Sequence, residues 1–302
     1  MPSARGLILT DGAVLGLFFI QRYRFLTIEQ FARVSAMHRE TASKQLRALE
    51  LHGLLGHYGN ITLPGYGRTP KVYFLTRKGW EILSRESDIP PELIGTFKEI
   101  HVEARWSPQM FHRLRIVDLM VSAEVAARAR PQLTMVRTFI EYRRVKRGTH
   151  IARETTDYVA AEESAENRIV PDAAFVLENI ASKERGLFFV EMDMATERIV
   201  SRITREDRIT LHHKIAQYDR YLVSGRFAQT YAPYGAFGFF TLLFVTLGSE
   251  RIENVRRQMQ DLPKELHDYY RFTTYPEAMG DFFGPIWKSR ALSDTQVHSL
   301  VQ

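Results

Sequence analysis

The run Leu187-Phe188-Phe189-Val190-Glu191-Met192-Asp193 sets two carboxylates in an otherwise apolar stretch. In an extended strand alternate side chains share a face, so Glu191 and Asp193 point the same way. A second apolar stretch, from Ile169 to Leu177, carries Asp172 directly after Pro171. An ionised carboxylate in such surroundings is costly unless a metal, a cation or several donors compensate it, which makes these acids candidates for chemistry. If the two strands pair as neighbours, Asp172, Glu191 and Asp193 meet as one cluster of oxygen ligands, a set suited to Mg2+ or Mn2+. A divalent ion held there polarises a phosphodiester oxygen and lowers the pKa of a bound water, the chemistry of a metal-dependent nuclease.

Lys214 lies on the helix expected after these strands, one turn before Tyr218, so both can aim at one spot and Lys214 can stabilise charge developing on phosphate. A surface lysine and a packed tyrosine explain the pair equally well. Thr196 and Glu197 follow the acidic strand, and capping of the next segment is their plainer explanation. His112, beside Arg113 and Arg115, reads as a hydrogen-bonded core residue, and the adjacent His212 and His213 face different directions on a helix and make a poor metal pair.

The elements that must position these groups follow from apolar spacing. A helix over Phe111 to Arg128 precedes a strand over Leu133 to Val145 and a polar segment near 146–167. Strands over Ile169 to Leu177 and Gly186 to Asp193 come next, then a helix from about Ile203 to Leu222, a strand over Phe237 to Leu247 and a helix over Glu250 to Leu262. The aromatic-rich stretch from Tyr269 to Trp287 fits no single pattern.

The N-terminal third has a different rhythm. Ala13 to Tyr23 has helical apolar spacing, Thr27 and Gln30 form a capping box, and Glu40 to His52 runs as a helix with Ala42, Leu46 and Leu49 inward. Gly53 ends that helix, and Leu54 to Ile61 with Lys71 to Leu75 form a hairpin around a tip of Pro64, Gly65, Gly67 and Pro70. This is the pattern of a winged helix-turn-helix, whose second helix enters the major groove with long donors opposite its apolar stripe. Arg39, Ser43, Lys44 and Arg47 meet that need, and Arg68 and Lys71 offer backbone contacts from the wing. A protein-interaction module with a solvated charged face is the competing explanation.

An excess of 41 Lys and Arg over 35 Asp and Glu, for a pI near 9.5, favours phosphate-bearing partners such as double-stranded DNA. With no cysteine the fold has neither disulfides nor thiolate metal sites, and a reducing cytoplasm is the expected location. The apolar stretch from Leu7 to Ile20 is interrupted by Asp11 and Gly12 and is too short to span a bilayer, so no membrane segment is expected.

Taken together, the winged module, the Phe111-His112-Arg113-Leu114 helix, Pro171-Asp172-Ala173, the run Phe189 to Glu197, Lys214 and Tyr218, and the strand Leu242 to Thr246 resemble the replication-relaxation family of plasmid and mobile-element proteins, related to MobC-type relaxases. The resemblance implies an α/β protein with a winged helix-turn-helix over residues 1–95 and a restriction-endonuclease-like αβββαβ domain of the PD-(D/E)xK type over 96–302. It maps the metal-holding acids of that motif onto Asp172 and Glu191 and puts Asp193 where the motif has lysine, with Lys214 as the replacement. The implied activity is nicking or processing of DNA in plasmid mobilisation or replication. The alternatives are a non-catalytic replication initiator or transcription regulator with a degenerate nuclease fold, and a transposase-like subunit that cuts only within a complex.

Overall fold

The computed structural model describes residues 10–59, 62–63, 67–100, 108–147, 150–194 and 210–301. The wing tip at Pro64 and Gly65, the Thr196 and Glu197 pair, and the helix start expected at Ile203 lie outside the described residues. The chain forms a mixed α/β fold in two compact units, residues 1–117 and 118–302.

In the first unit α1 (Asp11–Tyr23) opens on Thr10, whose hydroxyl accepts the Ala13 amide, and buries Leu17, Ile20 and Tyr23. The two-residue β1 (Leu26–Thr27) leads into α2 (Ile28–Val34), where Thr27 and Gln30 make both bonds of the capping box read from the sequence. The next helix, α3 (Arg39–Leu51), buries Ala42, Leu46 and Leu49, a stripe at helical spacing that leaves the opposite side outward. Gly53, at φ +72°, turns the chain out of α3 in the left-handed conformation that suits glycine.

Strands β2 (Leu55–Tyr58), β3 (Thr62–Leu63), β4 (Gly67–Arg68) and β5 (Val72–Leu75) follow. β5 lies between β1 and β2 in an antiparallel three-stranded sheet with Leu26 opposite Tyr73 and Leu55 opposite Leu75, while β3 and β4 pair separately. Two short helices, α4 (Arg77–Glu86) and α5 (Pro91–Ile94), and the long α6 (Pro108–Arg128) come next. None of the described helices is long and apolar enough to cross a membrane.

The second unit is built on a seven-stranded sheet. β6 (Leu133–Ile140) ends before the expected Val145 because the chain turns at Glu141, with the Arg143 amide bonded back to Ile140. The polar segment then holds two separate antiparallel pairs, β7 (Arg144–Arg147) with β8 (His150–Arg153), and β9 (Asp157–Tyr158) with β10 (Arg168–Ile169). β11 (Ala173–Asn179) starts after Pro171, which has no amide to give a ladder, so Asp172 precedes its strand instead of lying within it.

Next come β12 (Arg185–Asp193), α7 (Leu211–Ser224), α8 (Arg226–Thr230), β13 (Thr241–Thr246), α9 (Ser249–Gln258), β14 (Tyr270–Thr274), α10 (Tyr275–Gly280), β15 (Trp287–Ser289) and β16 (Val297–His298). The sheet order is β16-β15-β14-β13-β12-β11-β6, with β12, β13 and β14 parallel and the other pairs antiparallel. The aromatic stretch that sequence periodicity left unassigned thus supplies β14, α10 and β15. Leu187 and Phe189 of β12, Leu242 and Phe244 of β13 and Phe272 of β14 pack with Ile215, Tyr218 and Tyr221 of α7 and Ile252 and Val255 of α9 into one core.

Gly79 shows how closely the first unit is packed. A Cβ built there would lie 2.2 Å from the Leu54 carbonyl oxygen, a backbone atom, and 3.0 Å from its carbon. Helix propensity favours alanine over glycine by at most about 1 kcal/mol, but overpacking costs about 1–3 kcal/mol and here the backbone at Leu54 must move. Gly79→Ala is therefore expected to lower the thermal midpoint of the first unit by several degrees; an unchanged or raised midpoint contradicts this packing.

Candidate functional site

β12 is an interior strand, flanked by β11 and β13, and its odd-numbered side chains face α7 and α9. The alternation that buries Leu187 and Phe189 on this face continues to Glu191 and Asp193, which are 1% and 6% exposed. The pairing with β11 ends at Ala173–Val190, and the two acids beyond it find their partners on the covering helices.

Glu191 finds them on α7. Lys214 Nζ lies 2.6 Å from its Oε2, and the Tyr218 hydroxyl donates to Oε1 in a short hydrogen bond. The i, i+4 spacing brings both groups to one carboxyl. Thr210 starts this helix by accepting the His213 amide, which fixes the turn that carries Lys214.

Asp172 stands beside this group. Ala173 pairs with Val190, so one step further the antiparallel register sets Asp172 across from Glu191. Its Oδ2 accepts the Met192 amide at 2.8 Å, its backbone carbonyl accepts the Glu141 amide, and the carbonyl of the preceding Pro171 accepts the Thr155 hydroxyl. Burial pushes the Glu191 pKa up to about 8, against the pull of the Lys214 cation, and the Asp172 charge adds to the rise. Tyr218 is raised well above the usual phenol value by burial and by the Glu191 charge.

Asp193 goes elsewhere. Arg251, in the first turn of α9, donates from Nε at 2.6 Å to Oδ2 and from a terminal nitrogen at 3.4 Å to Oδ1. The structure thus brings Asp172, Glu191, Lys214 and Tyr218 together and draws Asp193 to a separate cation. Among the described residues no group of three or more acid or imidazole side chains is placed to hold a metal ion. Sequence reasoning missed Arg251, because a partner 58 residues from Asp193 leaves no local spacing signal.

His212 contacts both Asp261 oxygens at 3.0 Å, His213 is exposed, and His112 is half-buried on α6.

In the first unit, Lys44 and Arg47 lie on the outward side of α3, exposed and with no ion pair among the described residues, and Ser43 is half-buried there. Arg39 is also exposed but holds Glu29 at 2.8 Å. Arg68 on β4 is exposed. Lys71 is not presented to solvent like these; its ammonium lies 2.7 Å from Glu50 of α3 and 4.9 Å from the Tyr73 ring centre, so it ties the strand to the helix.

The raised Glu191 value has a definite sign. The folded chain keeps a proton there to about pH 8 that the unfolded chain releases near 4.5, so this group favours folding fully below pH 4.5 and loses that contribution as pH rises toward 8. Wild-type stability, read as a denaturant midpoint, should decline across this window and Glu191→Gln should flatten the decline. Superimposable profiles for the two proteins would contradict the assignment.

No curated protein sequence gives a significant match to the chain. A family model described as replication-relaxation matches residues 17–235 of the 302, a span that includes α3, Asp172, Glu191 and Lys214. With well over half its length matched, the chain belongs to the replication-relaxation family.

Proposed function

We propose that the chain is a DNA-binding protein of a plasmid or other mobile element, acting in replication or mobilisation, whose second unit processes the DNA backbone. The observation that carries the second part is the convergence of Lys214, Tyr218 and Asp172 on the buried Glu191 carboxyl. In the first unit the order α1-β1-α2-α3-β2-β5 supports a winged helix-turn-helix, with α3 as the helix that enters the major groove and Lys44 and Arg47 as its free cations.

The order α6-β6-β11-β12-α7-β13, which begins with the helix that crosses the unit boundary and has two short hairpins inserted after β6, supports a restriction-endonuclease-like αβββαβ core of the PD-(D/E)xK type. In this reading Asp172 and Glu191 are the motif acids and Lys214 replaces the lysine that Asp193 displaces.

The donor set fits a divalent ion at two carboxylates and not three. Asp172 lies across from Glu191, whose pKa is held up chiefly by burial and further by the Asp172 charge against the pull of Lys214, whereas Arg251 already satisfies Asp193. Mg2+ or Mn2+ held by Asp172 and Glu191 would supply polarisation of a phosphodiester oxygen. The chain's own groups have distinct roles. Lys214 holds positive charge beside the acids, Tyr218 orients the Glu191 carboxyl, and the Met192 amide fixes Asp172.

The Asp193–Arg251 pair favours a second reading, a non-catalytic replication initiator or regulator, because an acid neutralised from within the fold is unavailable to a reaction.

One set of assays separates the two. Supercoiled plasmid is incubated with Mg2+ or Mn2+ and wild type, Asp172→Ala or Glu191→Ala, while binding to linear duplex is followed against salt for a Lys44→Ala/Arg47→Ala variant. The leading reading expects nicking by wild type alone and a salt slope lowered by about 1.8 in the α3 variant, at roughly 0.9 per lost phosphate contact. Equal plasmid conversion by all three proteins removes the catalytic role, and duplex binding without nicking supports the second reading.

A further inference from the structure

Four consecutive polar residues, Glu154, Thr155, Thr156 and Asp157, are buried where the chain passes from β8 into β9, Thr155 completely. Buried polar groups cost free energy unless they are hydrogen-bonded, and three of these four bond to the elements that frame Asp172 and Glu191. The Glu154 carboxylate accepts the amide of Ile140, the last residue of β6, at 2.9 Å and a guanidinium nitrogen of Arg137 at 3.0 Å. The Thr155 hydroxyl donates to the Pro171 carbonyl at 2.6 Å. Asp157 accepts from the hydroxyl of Tyr221, which lies on α7 one turn beyond Tyr218.

Thr155 acts on Asp172 through the backbone. The Pro171 carbonyl shares a planar peptide unit with the Asp172 amide, so holding the carbonyl holds the plane from which the Asp172 Cα departs, and the proline ring fixes its own φ. The peptide unit on the other side of that Cα is held at its carbonyl by the Glu141 amide at 3.0 Å. With both flanking planes held, the direction of the Asp172 Cβ is set, and the carboxylate meets the Met192 amide at 2.8 Å, just past the last β11–β12 pair at Ala173–Val190. Thr155 and Asp157 are two residues apart and can be separated by no more than about 7 Å. The same short strap therefore ties the Asp172 backbone to the helix that carries Lys214 and Tyr218.

We infer that Thr155 is a positioning residue, whose hydroxyl, anchored through Glu154 and Asp157, sets the Asp172 carboxylate opposite Glu191 as a pair able to hold one divalent ion. The inference rests on the two-carboxylate reading of the site for its metal, and on the hydrogen bonds alone for the placement of Asp172.

The test uses the full chain as wild type, Thr155→Val and Thr155→Ser. Valine keeps the volume of the side chain and removes the donor to the Pro171 carbonyl, whereas serine keeps the donor. Mn2+ alone is titrated into each protein with free metal followed by electron paramagnetic resonance, and hydrogen exchange at the Met192 amide is compared with exchange at the core amide of Phe272. The valine variant is expected to bind Mn2+ about tenfold more weakly or worse, as for other groups that orient metal ligands from behind, and to exchange at Met192 at least tenfold faster relative to Phe272. The serine variant should stay within about twofold of wild type in both, at the scale of that same effect. A wild-type value for either readout in the valine variant overturns the inference, and so does exchange that rises equally at Met192 and Phe272, the mark of a merely structural threonine. A wild type that binds no Mn2+ removes the two-carboxylate reading, and Met192 exchange then decides by itself whether Thr155 places Asp172. If the valine variant does not fold, Tyr221→Phe releases the far anchor of the strap: faster exchange at Met192 than at Phe272 supports the inference, and equal changes overturn it.

Discussion

Glu191 is held on an interior strand with a helix laid over its face, and the polar groups of the second unit are arranged around the consequences. A carboxyl so placed, 1% exposed, cannot reach bulk water, so it must keep a proton or recruit a cation. α7 supplies both Lys214 and Tyr218. The same helix also provides Tyr221, which donates to Asp157 on β9, and Asp219, which accepts from Tyr270 of β14 at 2.5 Å and from Arg290 at 3.0 Å. Five polar contacts from four side chains thus fix α7 in a single register, and the geometry at Glu191 is inherited from that register.

Structure and chemistry pull against each other at this site. Packing alone would be served by an apolar residue at 191, since replacing a buried ionic group by a well-packed hydrophobe is often neutral or stabilising. An acid whose proton is held to about pH 8 is instead a group whose charge can be changed by a modest stimulus, such as an approaching cation. Asp193 illustrates the contrasting outcome: two residues along the same strand and on the same face, it is satisfied by Arg251.

Local chemistry made parts of this architecture legible in the sequence. The Thr27–Gln30 capping box, the Ala42, Leu46 and Leu49 stripe of α3 and the meeting of Lys214 and Tyr218 each depend on spacings of a few residues, and the structure contains all three. What periodicity could not show depends on distance along the chain. β1 is only two residues long and exists because β5 pairs with it, and β14 through β16 extend the sheet by pairings no local pattern encodes. Asp172 sits one residue before β11 because Pro171 ends the preceding pairing, and Asp193 is drawn away from Glu191 by an arginine from a helix that follows β13. A shared strand face was therefore a sound guide to direction but not to which charge would answer each acid.

The coupling between Glu191 and Lys214 is the most direct measure of this account. A double-mutant cycle with Glu191→Gln and Lys214→Met, followed by denaturant unfolding at pH 9 and pH 6, isolates their interaction from the packing of either side chain. The account predicts a coupling of at least about 1 kcal/mol at pH 9, within the range seen for residues in direct contact, and a smaller one at pH 6, where Glu191 holds its proton. Effects that add to within about 0.3 kcal/mol at both pH values would show that the lysine does not compensate the buried acid.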